Sequence, residues 1–210
     1  MTFPAFTLDI SGVRVSRGVR VIVEDFSMSV RSGDLVWVRG TNGVGKTSLL
    51  RMAAGLTRPD SGVVSHKSDG LEVSAPELTG FQGHKDAVKP SLSVIENLMF
   101  WARLAHAPQL TAAALKKVGL TGREAQRAGS LSAGQSRRLA LAQLYVSQKP
   151  LWIMDEPAAA IDSDGQAVIA NLIDEHIEAG GAVILASHAA PPARRSIRFV
   201  TLSSSEEAGL

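Results

Sequence analysis

The chain reads Gly40-Thr41-Asn42-Gly43-Val44-Gly45-Lys46-Thr47 directly after a short apolar run, Leu35–Arg39. The apolar run predicts a strand. The residues after Thr47 carry apolar side chains at helical spacing as far as Gly55, a residue type that often ends a helix. A glycine-rich loop between a strand and a helix, with lysine and threonine as its last two residues, is typical of sites that bind nucleotide phosphates.

Each residue type in this segment has a physical role at such a site. Glycines let the backbone curl so that its N–H groups point at phosphate oxygens, and the N-terminus of the helix adds positive potential. Lys46 is expected to reach the β- and γ-phosphates, and the hydroxyl of Thr47 is expected to bind Mg²⁺. The alternative is a glycine-rich turn with a lysine in solvent. The expected nucleotide-binding residues are Gly40, Thr41, Asn42, Gly43, Val44, Gly45, Lys46, Thr47 and Ser48.

A second apolar run, Leu151-Trp152-Ile153-Met154, ends in two adjacent carboxylates, Asp155 and Glu156. Because side chains alternate along a strand, the two acids are expected to point in different directions. Asp155 is predicted to bind Mg²⁺, and Glu156 to polarise an attacking water. The alternative is that both acids only cap the segment before Pro157.

The periodicity of the rest of the chain predicts an α/β fold. Alternating apolar residues in 7–30 predict two antiparallel strands, and the polar stretch 62–80 predicts an edge hairpin. Residues 91–104 and 111–118 have helical periodicity and form a predicted helical insert. Helix and strand then alternate from residue 134 to residue 186, which implies a mostly parallel sheet covered by helices. Such sheets bind ligands at the carboxyl ends of their strands, where the loop and the acids fall.

The composition excludes several classes of protein. The 210 residues include no cysteine, which excludes disulfide scaffolds, cysteine-based zinc sites, iron–sulfur clusters and thiol catalysis. The 22 basic residues nearly balance the 20 acidic ones, so charge does not favour a nucleic-acid partner. The sequence shows neither a signal peptide nor an apolar run approaching the ~18 residues of a membrane span, and a cytoplasmic location is expected.

The segment Leu131-Ser132-Ala133-Gly134-Gln135 precedes a predicted helix and would, on its own, be a serine cap with a glycine turn. It lies, however, between the phosphate loop and Met154-Asp155-Glu156-Pro157, and His188 closes the next strand. These four motifs, in this order, resemble the nucleotide-binding domain of ABC ATPases. The resemblance implies one P-loop NTPase domain of the ABC type over residues 1–210. This domain would have a mostly parallel sheet, an N-terminal antiparallel β part and a helical subdomain at about residues 85–145.

The resemblance also implies a head-to-tail dimer that binds ATP with Mg²⁺. Each ATP would lie between the phosphate loop of one copy and Ser132, Gly134 and Gln135 of the other. Asp162 matches a loop that communicates across this dimer and is grouped with the nucleotide-binding residues. His188 matches a histidine that contacts the γ-phosphate. Three other histidines match no motif and are predicted to lie at the surface: His66, His106 and His176.

Two positions depart from the general pattern of the family. Counting back from Leu92-Ser93-Val94 and Glu96-Asn97-Leu98 places the residue of the family's glutamine loop at His84 rather than Gln82. His84 is therefore grouped with the catalytic residues Glu156 and His188. The aromatic residue that usually stacks on adenine is replaced by Arg17, whose guanidinium plane can also stack on a base. The alternative for His84 is a histidine in a surface loop, and the alternative for Arg17 is a solvated charge in a hairpin.

These departures, with Gly83-His84, Lys89-Pro90 and Leu131–Arg138, resemble one subfamily, the ATP-binding export proteins of cytochrome c biogenesis, or haem exporter ATPases. The resemblance implies a homodimer docked on integral membrane subunits at the cytoplasmic face of the bacterial inner membrane, with no nucleic acid. ATP hydrolysis would drive haem export or the release of a haem-loaded periplasmic chaperone. The alternatives are the ATPase of a drug, polysaccharide or lipoprotein exporter, an ABC ATPase acting on DNA or the ribosome, and a phosphate-loop kinase.

Overall fold

The described part of the chain contains nine strands, six α-helices and two short 3-10 helices. The computed structural model describes residues 2–159, 161–188, 190–191 and 195–202. The strands are β1 (Phe6–Arg17), β2 (Arg20–Arg31), β3 (Leu35–Arg39), β4 (Ser61–Ser68), β5 (Leu71–Glu72), β6 (Thr79–Gln82), β7 (Leu151–Asp155), β8 (Ala182–Ala186) and β9 (Arg198–Thr201). The helices are α1 (Lys46–Ala53), α2 (Ala75–Leu78), α3 (Val94–Leu104), α4 (Thr111–Lys117), α5 (Ala133–Val146) and α6 (Ser163–Glu178).

The strands form two sheets. The first is antiparallel, in the order β2-β1-β4-β5, and the second has the order β6-β7-β8-β3-β9 with parallel neighbours throughout. Every residue of β7 and β8 is buried, as expected for central strands covered on both faces. Because side chains alternate, Ile153 packs in the core shared with α1 and β1, whereas Trp152 packs in the core shared with α5 and α6.

Three helices inserted between β6 and β7 pack on one another. α5 contacts both α3 and α4, and Leu98, Leu115 and Leu139 are fully or almost fully buried in their shared core. Ser93 and Ser132 begin α3 and α5 as N-caps, each in a capping box with the residue three positions later. Such caps satisfy backbone N–H groups that would otherwise lack a partner in the first turn.

The predicted α/β fold is confirmed, with corrections in detail. The hairpin expected in 62–80 is present as β4 and β5, but the same stretch continues into β6, which joins the parallel sheet. α3 begins at Val94 rather than near Ser91, because Ser93 caps it. The strand β9 was not predicted, since its four residues are mostly exposed at the edge of the sheet. In the described residues, no helix is long and apolar enough to cross a membrane.

The predicted surface position of two histidines is wrong. His66 is buried with its Nε2 atom 2.9 Å from the carbonyl oxygen of Ala53. His176, on α6, is 5% exposed, and its Nε2 atom lies 2.9 Å from the carbonyl oxygen of Pro150. The ring of His176 stacks on Trp152 with centroids 3.8 Å apart. Burial lowers its pKa from 6.5 to about 4, because the surroundings disfavour the charged imidazolium. His106 is exposed as predicted.

Candidate nucleotide-binding site

A cavity of about 440 Å³ opens at the carboxyl ends of β3 and β7. Its walls come from the loop after β3, the end of β7, the segment after β8, the β1–β2 hairpin and the loop after β6. This arrangement joins sequence segments that are far apart in the chain, as expected at the carboxyl edge of a parallel sheet. The lining residues are Arg17, Arg20, Ile22, Asn42, Gly43, Gly45, Lys46, Thr47, Ser48, His84, Asp155, Glu156 and His188.

The loop after β3 has the geometry of a phosphate cradle. Gly45 is the N-cap of α1 with φ at +112°, a conformation that L side chains rarely adopt. A Cβ atom at Gly40 would lie 2.8 Å from the carbonyl oxygen of Leu202, so the close approach of the loop to the residue after β9 also requires glycine. Gly40, Thr41 and Val44 shape the loop but do not line the cavity.

Lys46 lies inside the curve of this loop. Lys46 is only 8% exposed. Its Nζ atom donates hydrogen bonds to the carbonyl oxygens of Gly40 at 2.8 Å and Thr41 at 3.1 Å. Burying an ammonium group is costly unless it is hydrogen-bonded, and these two carbonyls reduce that cost. The ammonium is therefore held at the cavity wall, within reach of an anion that enters it.

Thr47 and Asp155 bring two oxygen ligands together at the base of the cavity. The Oγ1 atom of Thr47 donates a hydrogen bond of 2.7 Å to Oδ2 of Asp155, which is 3% exposed. Hydroxyl and carboxylate oxygens are the ligands that Mg²⁺ prefers, and it usually takes only one or two carboxylates plus substrate phosphates. The pair fits a magnesium ion shared with a bound nucleotide.

Glu156 follows β7 in a left-handed conformation, with φ at +52°. Its N–H group donates a 2.8 Å hydrogen bond to the carbonyl oxygen of Ala186, which fixes the turn against the end of β8. Its Oε1 atom is buried, makes no hydrogen bond, and lies 3.4 Å from Nε2 of His188. A buried carboxylate oxygen without a hydrogen bond, at the wall of a cavity, is placed to accept a proton from water.

His84 and Gln82 occupy different environments. The side chain of His84 is exposed and lines the cavity. Gln82 ends β6, paired in register with Met154, and is 5% exposed. Both polar atoms of its amide are buried without a hydrogen-bond partner, and the residue lines a second cavity instead. His84, the residue that the sequence count selects, therefore lines the nucleotide cavity, whereas Gln82 lines the other one.

Another wall of the cavity consists of the β1–β2 hairpin. Arg17 and Arg20 are paired across its two-residue turn, so their side chains lie on one face of the ladder, and both line the cavity with Ile22. The described lining residues include no phenylalanine, tyrosine or tryptophan. Sequence reasoning found Arg17 but missed Arg20 and Ile22. The signal for Arg20 was available, since a two-residue turn at Gly18-Val19 places residues 17 and 20 opposite each other.

Four further predicted residues lie outside this cavity. The hydroxyl of Ser132 accepts a hydrogen bond from the N–H group of Gln135 at 3.2 Å, and Ser132 is exposed at the N-terminus of α5. Gly134 is partly exposed in the same turn. Asp162 caps α6 by accepting a 2.9 Å hydrogen bond from the N–H group of Gly165. One chain therefore presents the phosphate loop and the turn at Ser132 at separate places.

A second cavity, of about 700 Å³, is called here the groove. It lies between β6, α3 and α5 and is mostly apolar, with Phe81, Trp101, Leu104 and Leu144 in its walls. Leu104 is 66% exposed, so the groove presents a large apolar side chain to solvent. Lys85 and Lys149 supply positive charge to the same lining.

Comparisons with known proteins identify the class to which the chain belongs. The sequence pattern of the family described as "ABC transporter" matches residues 23–159, more than half of the chain. The chain therefore belongs to the ABC transporter family. The fold is also that of the dimeric ATP-binding cassette MJ0796 bound to ADP and Pi, with a TM-score of 0.81, 21% identity, and coverage of 93% of this chain and 94% of that one.

Two curated relatives are more specific. The chain is 43% identical over 196 residues to the cytochrome c biogenesis ATP-binding export protein CcmA of Haemophilus influenzae, covering 90% of this chain and 92% of the relative. It is 44% identical over 191 residues to the protein of the same name from Mannheimia succiniciproducens, covering 88% of this chain and 89% of the relative. The subfamily resemblance noted from the sequence is confirmed.

Proposed function

We propose that the chain is the ATP-hydrolysing subunit of an ABC transporter complex that serves cytochrome c biogenesis. It acts as a homodimer bound to integral membrane subunits at the cytoplasmic face of the bacterial inner membrane, with no nucleic acid as partner. The observation that carries the proposal is the convergence of Lys46, Thr47, Asp155 and Glu156 on one cavity. The names of the relatives support a role in cytochrome c biogenesis, and they do not favour a drug, polysaccharide or lipoprotein exporter.

ATP binds with its phosphates in the loop after β3. The N–H groups of the loop and the N-terminus of α1 favour the negative charge. Lys46 exchanges its bonds to the carbonyls of Gly40 and Thr41 for bonds to phosphate oxygens. The adenine ring of ATP lies toward the β1–β2 hairpin, where the guanidinium planes of Arg17 and Arg20 stack on it.

Hydrolysis then depends on Glu156. A magnesium ion held by Thr47 and Asp155 would neutralise charge on the β- and γ-phosphates when it is bound. The oxygen of a water attacks the γ-phosphorus, Glu156 accepts a proton from that water, and the bond from the γ-phosphorus to the bridging oxygen breaks, giving ADP and phosphate. His188, 3.4 Å from Glu156, contacts the γ-phosphate, and His84 lines the same cavity.

A second copy of the chain completes each site. The turn at Ser132, with Gly134 and Gln135, lies outside the cavity of its own chain and carries N–H groups at the start of α5. Such a helix N-terminus favours an anion, so it suits the γ-phosphate bound by the other copy. Asp162, which caps α6, is assigned to the contact between the two copies.

The groove is the docking surface for a membrane subunit. Its apolar walls suit an amphipathic helix, and Lys85 and Lys149 call for an acidic residue on that helix. ATP-driven closure and opening of the dimer are transmitted there, to haem export or to the release of a haem-loaded periplasmic chaperone.

Complementation tests the proposal. The full-length chain is expressed in a bacterium that lacks its own ATP-binding subunit for cytochrome c maturation, beside the Lys46→Ala variant as a matched control. We expect holocytochrome c, measured by haem staining, with the wild-type chain only, and copurification of both chains with membrane subunits. An ATP-hydrolysing chain that neither restores holocytochrome c nor copurifies with those subunits would point to another exporter.

A further inference from the structure

Arg137 is a buried arginine that the mechanism above does not use. It lies on α5, five residues after Ser132, and is 6% exposed. Its Nη1 atom donates a hydrogen bond of 3.1 Å to the carbonyl oxygen of Gly83, and its Nη2 atom donates one of 3.0 Å to that of His84. Its Nη1 atom also lies 2.9 Å from Oδ1 of Asp86 in an ion pair. A charge is buried in a protein when such partners offset its desolvation.

These contacts fasten the loop after β6 to α5. A second attachment follows along the helix, where Nε2 of Gln143 donates a 3.4 Å hydrogen bond to the carbonyl oxygen of Ala87. The guanidinium is planar and holds two carbonyls in a fixed geometry, which a flexible ammonium group does not do. Residues 83–87 are therefore attached to the helix at both ends and are expected to follow its movements.

The two ends of this assembly face different nucleotides. The side chain of His84 lines the cavity of its own chain, whereas Ser132, at the N-terminus of the same helix α5, lies outside that cavity. Arg137 stands between them and does not line the cavity itself. A displacement of the backbone at Gly83 and His84 would thus act on α5 through the two hydrogen bonds that Arg137 donates.

We propose that Arg137 is a positioning residue that couples the contact between His84 and a bound nucleotide to the orientation of Ser132, and so to the site in the partner copy. The inference rests on the proposed roles of His84 and Ser132. Arg137 contacts no nucleotide, so its loss leaves binding intact and lowers the turnover of the shared site.

The chain offers a matched control in the next residue. Arg138 also donates from Nη1 to a backbone carbonyl, that of Val118 at 3.2 Å, but this carbonyl follows α4. Arg137→Met and Arg138→Met each remove one guanidinium from the same helix. Asp86→Asn removes the ion pair with Arg137 and keeps the hydrogen bonds to the carbonyls of Gly83 and His84.

Three measurements on the full-length chain test the inference: affinity for a fluorescent ATP analogue, kcat and KM for ATP, and hydrogen exchange of residues 131–136 with and without ATP. For Arg137→Met we expect an affinity within about twofold of wild type and a fall in kcat of about tenfold, a usual size for a coupling between sites. ATP-dependent protection of residues 131–136 is lost. Arg138→Met and Asp86→Asn keep that protection and a kcat within about twofold of wild type.

Several results would overturn the inference. One is a kcat for Arg137→Met within about twofold of wild type. Another is an equal loss in Arg138→Met, which would mean that any change on α5 has the same effect. If Arg137→Met does not fold, Arg137→Lys replaces it, with the same losses expected because lysine cannot hold both carbonyls. A wild-type chain without ATP turnover would instead refute the proposed function and the inference together.

Discussion

Protonation of His176 is expected to destabilise the protein as pH falls. Its pKa is about 4 in the folded chain against an ordinary value of 6.5. Above pH 6.5 the imidazole is neutral in both states and full stability is present. As pH falls from 6.5 to 4, the unfolded chain takes up a proton that the folded chain does not, so the free energy of unfolding decreases. Below pH 4 the folded chain is protonated as well, and the free energy of unfolding loses no more from this histidine.

The two pKa values set the size of this effect. A difference of one unit corresponds to about 1.4 kcal/mol, so the total loss is about 3 kcal/mol, of which about 2.5 kcal/mol is reached at pH 4.5. A loss of this size is a large fraction of the stability of a typical domain. It acts on the sheet that carries the nucleotide site, since His176 stacks on Trp152 in β7, and β7 ends at Asp155.

Urea unfolding at pH 7.5 and pH 4.5, followed by tryptophan fluorescence, measures the effect. The control is His176→Gln, which keeps a group able to donate to the carbonyl of Pro150 and does not titrate. Carboxylates contribute equally to both proteins, so the difference between their pH dependences isolates the histidine. We expect the wild type to lose about 2.5 kcal/mol more than the variant. Equal losses in the two proteins would refute the reasoning.

Three further predictions concern catalysis. Lys46→Ala should lower nucleotide affinity at least about tenfold, because it removes charge-assisted bonds to phosphate. Glu156→Gln should keep the affinity, trap a closed dimer and lower turnover about 100-fold or more. Full turnover by Glu156→Gln would rule out Glu156 as the general base. Ser132→Arg should bind ATP normally and hydrolyse little, and a monomer shown by light scattering to turn over at the full rate would contradict the shared site. In the assembled complex, His84→Ala should lower ATP turnover; if only Gln82→Ala does so, the assignment is wrong by two residues.

The phosphate loop and the acidic strand were predictable because each depends on contiguous residues. The glycines, Lys46 and Thr47 shape one loop. The apolar residues of β7 predict a strand, and Asp155 directly follows them in the sequence. The burial of His176 was not predictable. It depends on Trp152 and on the carbonyl of Pro150, which are distant in sequence and meet it only when α6 packs on the sheet.

β6 and the contacts of Arg137 were not predictable either, because they also depend on residues that are distant in sequence. The four residues Thr-Gly-Phe-Gln carry no clear alternation, and they form a strand because β7 offers a parallel partner in register from Leu151 to Met154. The hydrogen bonds of Arg137 reach residues 53 and 54 positions away. A periodic pattern cannot report such contacts, because no local propensity requires an arginine at that position.

The loop after β6 lies between the nucleotide cavity and the groove, and in the proposed complex it would contact both partners of the chain. Gly83 and Lys85 line the groove, whereas His84 between them lines the nucleotide cavity. Neighbouring Cα atoms are held about 3.8 Å apart by planar peptides, so we expect a partner that shifts the backbone at Lys85 to affect the backbone at His84 as well. The coupling is reciprocal by thermodynamic necessity: if the membrane subunit strengthens ATP binding, ATP strengthens docking of that subunit by the same factor.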